Sequence, residues 1–127
     1  MYIQKLKENG VECSFGGNYF DLFAKSDAII HDCSSYIVEY LFVDKPCCFV
    51  VKNNVKKILL KLGIECLKCY TIAKTERDID NFILSVCSST LKDNDKKRKN
   101  VMAKIKVNYP NSSKKIYEEI KKLCNSN

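Results

Sequence analysis

Two adjacent serines after an aspartate, in Asp32-Cys33-Ser34-Ser35, and a glutamate four residues on, Glu39, are residues whose types and spacing could do chemistry together. Neighbouring hydroxyls at a helix start, beside free N–H groups and the positive end of the helix dipole, can hold a phosphate. A carboxylate one turn along, Glu39, could then take hydroxyl groups of whatever that phosphate carries. Asp32 stands too close to such an anion to be a simple ligand, and is expected to brace the turn by accepting backbone N–H bonds. The plain alternatives are that the serines only cap the helix, with Ser34 as N-cap, and that Glu39 is a solvated surface residue.

Other reactive residues carry weaker patterns. His31 is the single histidine and lies in an apolar run, where a core role outweighs a general base. One histidine so placed cannot complete a Ser-His-Asp set. Cys66-x-x-Cys69 is one pair without a second, whereas zinc wants four ligands, so buried or half-exposed thiols are expected and no metal site. Gly16-Gly17-Asn18 is followed by none of the residues of a phosphate-binding glycine loop and reads as a connector.

The elements that must position the central residues follow from periodicity. Ala28–His31 reads as a buried strand, Asp32–Ser35 as a turn, Tyr36–Phe42 as a short helix, Lys45-Pro46 as a break and Cys47–Val51 as a second buried strand. Two short apolar runs bracketing a helical stripe (Ile37, Val38, Leu41, Phe42) predict a βαβ unit and hence a parallel sheet. Function in such folds gathers at the carboxyl ends of the strands.

Upstream, Met1–Glu8 reads as the end of a helix, Val11–Phe15 as a short strand, and Tyr19–Lys25 as a helix burying Phe20, Leu22 and Phe23. A chain that opens inside a βαβ rhythm leads us to expect a preceding segment. Downstream, Val55–Leu62 reads as a helix stopped by Gly63, and Cys66–Ala73 as an edge strand ending near Ile72. Glu76–Cys87 is an amphipathic helix capped by Thr75, with Ile79, Phe82, Ile83 and Val86 for burial. Leu91–Lys99 is a charged break entering a helix that runs to Ile105. Ser112–Cys124 is the last helix, with Ile116, Ile120 and Leu123 on one face and i,i+4 pairs such as Lys114/Glu118 on the other.

The 127 residues suit one domain, 46% hydrophobic and 29% charged, rather than a disordered chain. No apolar run is long enough for a membrane span, and Met1–Gly10 is too charged for a signal peptide. Eight cysteines without such a signal predict reduced, buried thiols, with Cys33, Cys47 and Cys48 inside apolar runs. The net charge of +7 is lopsided: residues 1–51 hold four lysines against seven acids (−3), and residues 52–127 hold 18 basic against eight acidic residues (+10). A basic half suits an anionic membrane, an anionic polymer or nucleic acid, or is simply a set of solvated helix faces. Nucleic acid is disfavoured, because no aromatic-interleaved basic strand or recognition helix is present.

The run SDAIIHDCSSYIVEYLFVDKPCCFVV resembles the block SD-x-L-I-T-D-Y-S-S-x-x-x-[DE]-Y-x-x-x-x-K-P-x-x-[FY] of CDP-glycerol glycerophosphotransferase-like enzymes, which build teichoic-acid and related capsular polymers on bacterial membranes. Ser26, Asp27, Ile30, Asp32, Ser34, Ser35, Glu39, Tyr40, Lys45, Pro46 and Phe49 carry the match. Asn108-Tyr109-Pro110 with Ser113-Lys114-Lys115-Ile116 resembles the family's closing segment. His31 stands where relatives often have threonine, and Cys33 where they usually have an aromatic residue.

The resemblance implies an α/β fold with a small parallel sheet flanked by helices, the Rossmann-like C-terminal half of a GT-B-type transferase. It implies one partial donor-binding domain over residues 1–127, with basic helices over 92–127. CDP-glycerol or a related CDP-alditol would be the donor, held by Ser34, Ser35, Glu39 and Asp32, with no cofactor. An anionic, lipid-linked polymer would be the acceptor. The catalytic base and acceptor contacts would come from an N-terminal half, in cis or as a separate chain, so these residues alone are expected to be inactive. The location implied is cytoplasmic, with peripheral contact at the inner membrane face. The runner-up is a small basic module that binds a nucleotide or polyanion without catalysis.

Overall fold

The computed structural model describes residues 2–51, 59–91 and 95–125. Its centre is a three-stranded parallel sheet in the order β1-β2-β3, with β1 at Ile29–His31, β2 at Cys47–Val50 and β3 at Thr71–Ala73. Ile29, Ile30 and His31 lie opposite Cys47, Cys48 and Phe49, and Cys48, Phe49 and Val50 lie opposite Thr71, Ile72 and Ala73. The helices are α1 (Tyr2–Glu8), α2 (Phe20–Lys25), α3 (Tyr36–Glu39), α4 (Lys61–Leu67), α5 (Glu76–Cys87), α6 (Asp95–Ile105) and α7 (Ser112–Asn125). A 3₁₀ turn, Tyr40–Val43, continues α3 and ends at Asp44, which takes the left-handed conformation at φ 56°.

Parallel strands are covered on both faces, and alternation along each strand sorts residues between them. One face carries Cys47 and Phe49 into a core with Phe23, Ile37, Tyr40, Leu41, Cys66, Tyr70, Val101 and Met102. The other carries Cys48 and Ala73 into a smaller cluster around Phe82 of α5. Thr75 and Asp78 form a reciprocal capping box at the start of α5, which fixes where that helix leaves β3. Arg98 of α6 pairs with Asp44, and Lys104 with Glu65 at 3.5 Å, tying α6 to the 3₁₀ turn and to α4.

Several expectations fail for local reasons. Val11–Phe15 is not a strand: it has no partner among the described residues, and Phe15 is 74% exposed. Of the three residues of α2 expected to be buried, Phe20, Leu22 and Phe23, only Phe23 is, because a helix of six residues turns a single side to the core. Gly63 does not stop a helix but lies inside α4, so Cys66 is helical and the third strand shrinks to Thr71–Ala73. Of the helix expected over Val55–Leu62, residues 55–58 lie outside the described residues, and Leu60 is extended, so helix begins only at Lys61. Phe42 and Ile83 stay exposed, and Phe42, in the 3₁₀ turn, meets Tyr109 at 5.7 Å between ring centroids. The last long basic stretch becomes helical already at Asp95.

Among the described residues no helix is long and apolar enough to cross a membrane. The helix α7 forms as expected, but none of its residues is buried, and Ile116, Ile120 and Leu123 are 61%, 54% and 70% exposed.

Candidate functional site

β1 delivers the chain to the site: it stops at His31, and Asp32 and Cys33 carry the backbone off the carboxyl edge of the sheet into the Ser34-Ser35 turn. The N-cap of α3 is Ser35, not Ser34. Ser35 already has helical dihedrals (φ −66°, ψ −41°), and its hydroxyl makes no capping bond. The capping explanation of the two serines is therefore not realised. Ser35 Oγ instead lies 3.0 Å from Cys33 Sγ. That contact, with the backbone N–H of Ser35, holds the half-exposed Cys33 thiol below its ordinary pKa.

Ser34 and Ser35 open on a hollow of about 350 Å³ whose far wall is Leu60, Leu62 and Gly63 at the start of α4, with Val38 and Leu59 beside them. A second hollow of about 400 Å³ shares Leu59 and runs to Ile72, Lys68 and Lys74 beyond β2 and β3. The carboxyl edge of the sheet thus carries two adjoining recesses, one with hydroxyls and one with two lysines. A third hollow, about 410 Å³ and lined by Asp27, Pro46 and Arg98, lies towards the amino ends of the strands, away from the predicted residues.

Glu39 ends α3, one turn beyond Ser35. It is half-buried, and its Oε2 accepts a 2.8 Å hydrogen bond from Tyr19 Oη. The solvated-surface reading of Glu39 does not hold. The carboxylate in turn raises the pKa of the Tyr19 phenol. Asp32 is exposed at the end of β1.

His31 is a core residue, 9% exposed and ringed edge-on by Tyr36, Phe49 and Tyr70 at 5.3–5.9 Å. Its Nδ1 lies 3.0 Å from the Cys33 carbonyl, which can only accept, so Nδ1 carries the proton and donates. Nε2 is buried without a hydrogen-bond partner. The histidine is thus half satisfied, and burial holds its pKa below the usual value.

Residues of the resembling block that sequence reasoning left without a role turn out to build the frame. Tyr40 Oη and Ser26 Oγ are 2.8 Å apart, and Lys45 Nζ donates to the carbonyls of Ala24 and Ser26. These contacts lash the end of α2 to both flanks of the β1–α3 unit. Tyr19 and Tyr36, with ring centroids 5.2 Å apart, were also missed. The spacing of aromatics at 19, 20, 23, 36 and 40 was the available signal.

Cys66 and Cys69 are both buried, and burial pushes the Cys66 thiol up to about 11 and the Cys47 thiol up to about 12. All eight cysteines are free; Cys47 and Cys48 are buried as expected, whereas Cys33 is only half-buried and Cys87 and Cys124 are exposed. No group of three or more His, Cys, Asp or Glu side chains among the described residues could hold a metal ion.

Comparisons with protein-family models, with curated proteins and with solved structures found no match to this chain.

Proposed function

We propose that these residues are the donor-binding part of a CDP-glycerol glycerophosphotransferase-like enzyme, the Rossmann-like C-terminal portion of a GT-B-type transferase. The observation that carries the reading is the pair of hydroxyls, Ser34 and Ser35, free of capping duty and opening on a recess at the carboxyl edge of a parallel sheet. In parallel α/β sheets that edge is where ligands bind. The donor diphosphate would lie against Ser34 and Ser35, the alditol hydroxyls would reach Glu39, and Asp32 would brace the turn. Transfer would displace CMP at the β-phosphorus, passing the phospho-alditol to an acceptor hydroxyl on an anionic, lipid-linked polymer. In this reading the base for that step lies outside these residues, an N-terminal half completes the cleft, and the lipid-linked acceptor is met at the inner face of a membrane.

Titration calorimetry of the 127-residue protein with CDP-glycerol tests this. Saturable binding, weakened by Ser34→Ala and Ser35→Ala and without release of CMP, is the expected result. Absence of binding, or binding indifferent to both serines, overturns the site. Equal affinity for CDP-glycerol and for inorganic polyphosphate would instead mark a polyanion-binding module. Turnover by the purified protein would refute the assignment of the base to another segment.

A further inference from the structure

We propose that Tyr19 is a positioning residue for Glu39, fixing that carboxylate so that its second oxygen is presented to a hydroxyl group of a polyol ligand. The inference rests on the donor-site reading above. Its basis is the 2.8 Å bond from Tyr19 Oη to Glu39 Oε2 between residues 20 apart in sequence, one before α2 and one at the end of α3. A phenol donating to an ionised carboxylate makes a short, charge-assisted bond, stronger than a neutral one.

The donor is itself held. The Tyr19 ring packs against Phe23 and Tyr36, with centroids 5.1 and 5.2 Å away. Phe23 is buried and meets Tyr36 and Tyr40 edge-on at 5.4 and 5.0 Å. The phenol cannot swing away without disturbing this cluster. A carboxylate has two oxygens and about four lone-pair directions. Tyr19 occupies Oε2, leaving Oε1 as the natural acceptor for a ligand hydroxyl. A glutamate pinned before binding loses less rotamer freedom when the ligand arrives, which favours affinity. Any benefit therefore falls on the hydroxyl-bearing part of the ligand and not on its nucleotide.

Calorimetric titrations of CDP-glycerol and of CMP into the wild type, Tyr19→Phe and Glu39→Gln test this, with thermal melting as a check on folding. Tyr19→Phe keeps the packed ring and removes only the donor. The expected result is a loss of about tenfold in CDP-glycerol affinity in each variant, with CMP affinity held within about twofold. Equal weakening of both ligands in Tyr19→Phe would make Tyr19 a mere strut and overturn the inference. Loss of discrimination in Glu39→Gln but not in Tyr19→Phe would overturn it while leaving the donor site standing. A wild type that binds CDP-glycerol no better than CMP would remove Glu39 from alditol recognition, and Tyr19's role with it.

Discussion

Tyr40 and Ser26 face each other across 2.8 Å between the 3₁₀ turn and the end of α2, and Ser26 also donates to the Phe23 carbonyl at 3.0 Å. Tyr40 is fully buried and Ser26 partly so, which puts this hydroxyl contact at the border of the core. Removing only the hydroxyl with Tyr40→Phe leaves Ser26 bonded to Phe23, and should cost about 1 kcal/mol of stability. Removing the ring with Tyr40→Ala should cost about 3–5 kcal/mol. Urea unfolding followed by circular dichroism measures both. Similar losses in the two variants would mean that the hydroxyl, not the ring, dominates.

Thiol reactivity should follow position. Cys33, with its thiolate favoured by Ser35, should alkylate readily with iodoacetamide at neutral pH, along with exposed Cys87 and Cys124. Cys47 and Cys66, pushed up to about 12 and about 11 by burial, should be spared until the protein unfolds. Peptide mass spectrometry reads the order, and Ser35→Ala should slow Cys33 alone. Early labelling of Cys66 or Cys69, or one zinc per chain by metal analysis, would contradict the structure's account of these thiols.

His31 should make the fold acid-sensitive. Burial lowers its folded pKa, so the unfolded chain takes up its proton first as pH falls below about 6.5. Its contribution is complete above the unfolded value and declines as pH drops through the range between the two. The groups around the ring are Tyr36, Phe49 and Tyr70, with Asp32 next in sequence and acting in the opposite direction. Melting temperatures should therefore fall between neutral pH and about pH 5, and fall less in His31→Phe. An identical acid limb in both proteins would assign the sensitivity elsewhere.

The exposed stripe of α7 is bordered by Lys114, Lys115, Lys121 and Lys122, and a helix of 14 residues is marginal alone in water. We propose weak adsorption to anionic surfaces in which charge dominates, each lysine contributing roughly 1 kcal/mol near the surface. Co-sedimentation with phosphatidylserine vesicles should drop steeply between low salt and about 0.5 M, as screening shortens. Retention unchanged by salt and lost in Ile120→Glu would show that the apolar stripe governs instead.

The βαβ unit was legible because its strands are short apolar runs around a helical stripe, with Lys45-Pro46 marking the return. Thr75 announced α5 as its N-cap, and the structure adds the reciprocal bond from Asp78. Gly63 misled because glycine is a permissible, merely unfavourable, helix residue, and here Leu59 packs at 3.6 Å from where its side chain would begin. Ser34 and Ser35 were singled out by type and spacing. Whether Ser35 caps α3 was not legible, because that depends on backbone dihedral angles the residue types do not set. Tyr19 stayed hidden because its partner lies 20 residues away, and only tertiary packing brings a phenol to that carboxylate.

The chain has seven tyrosines and no tryptophan, so its intrinsic ultraviolet emission comes from phenols alone. Two of them, Tyr19 and Tyr36, pack together beside Glu39, and Tyr19 hydrogen-bonds to it. A carboxylate acceptor dims tyrosine emission, so this corner of the molecule is a quenched fluorophore whose brightness depends on one hydrogen bond. Breaking that bond, as in Glu39→Leu, would raise the signal, whereas a ligand taken by Oε1 would leave it dim, so the emission reports without a label whether Tyr19 still holds Glu39.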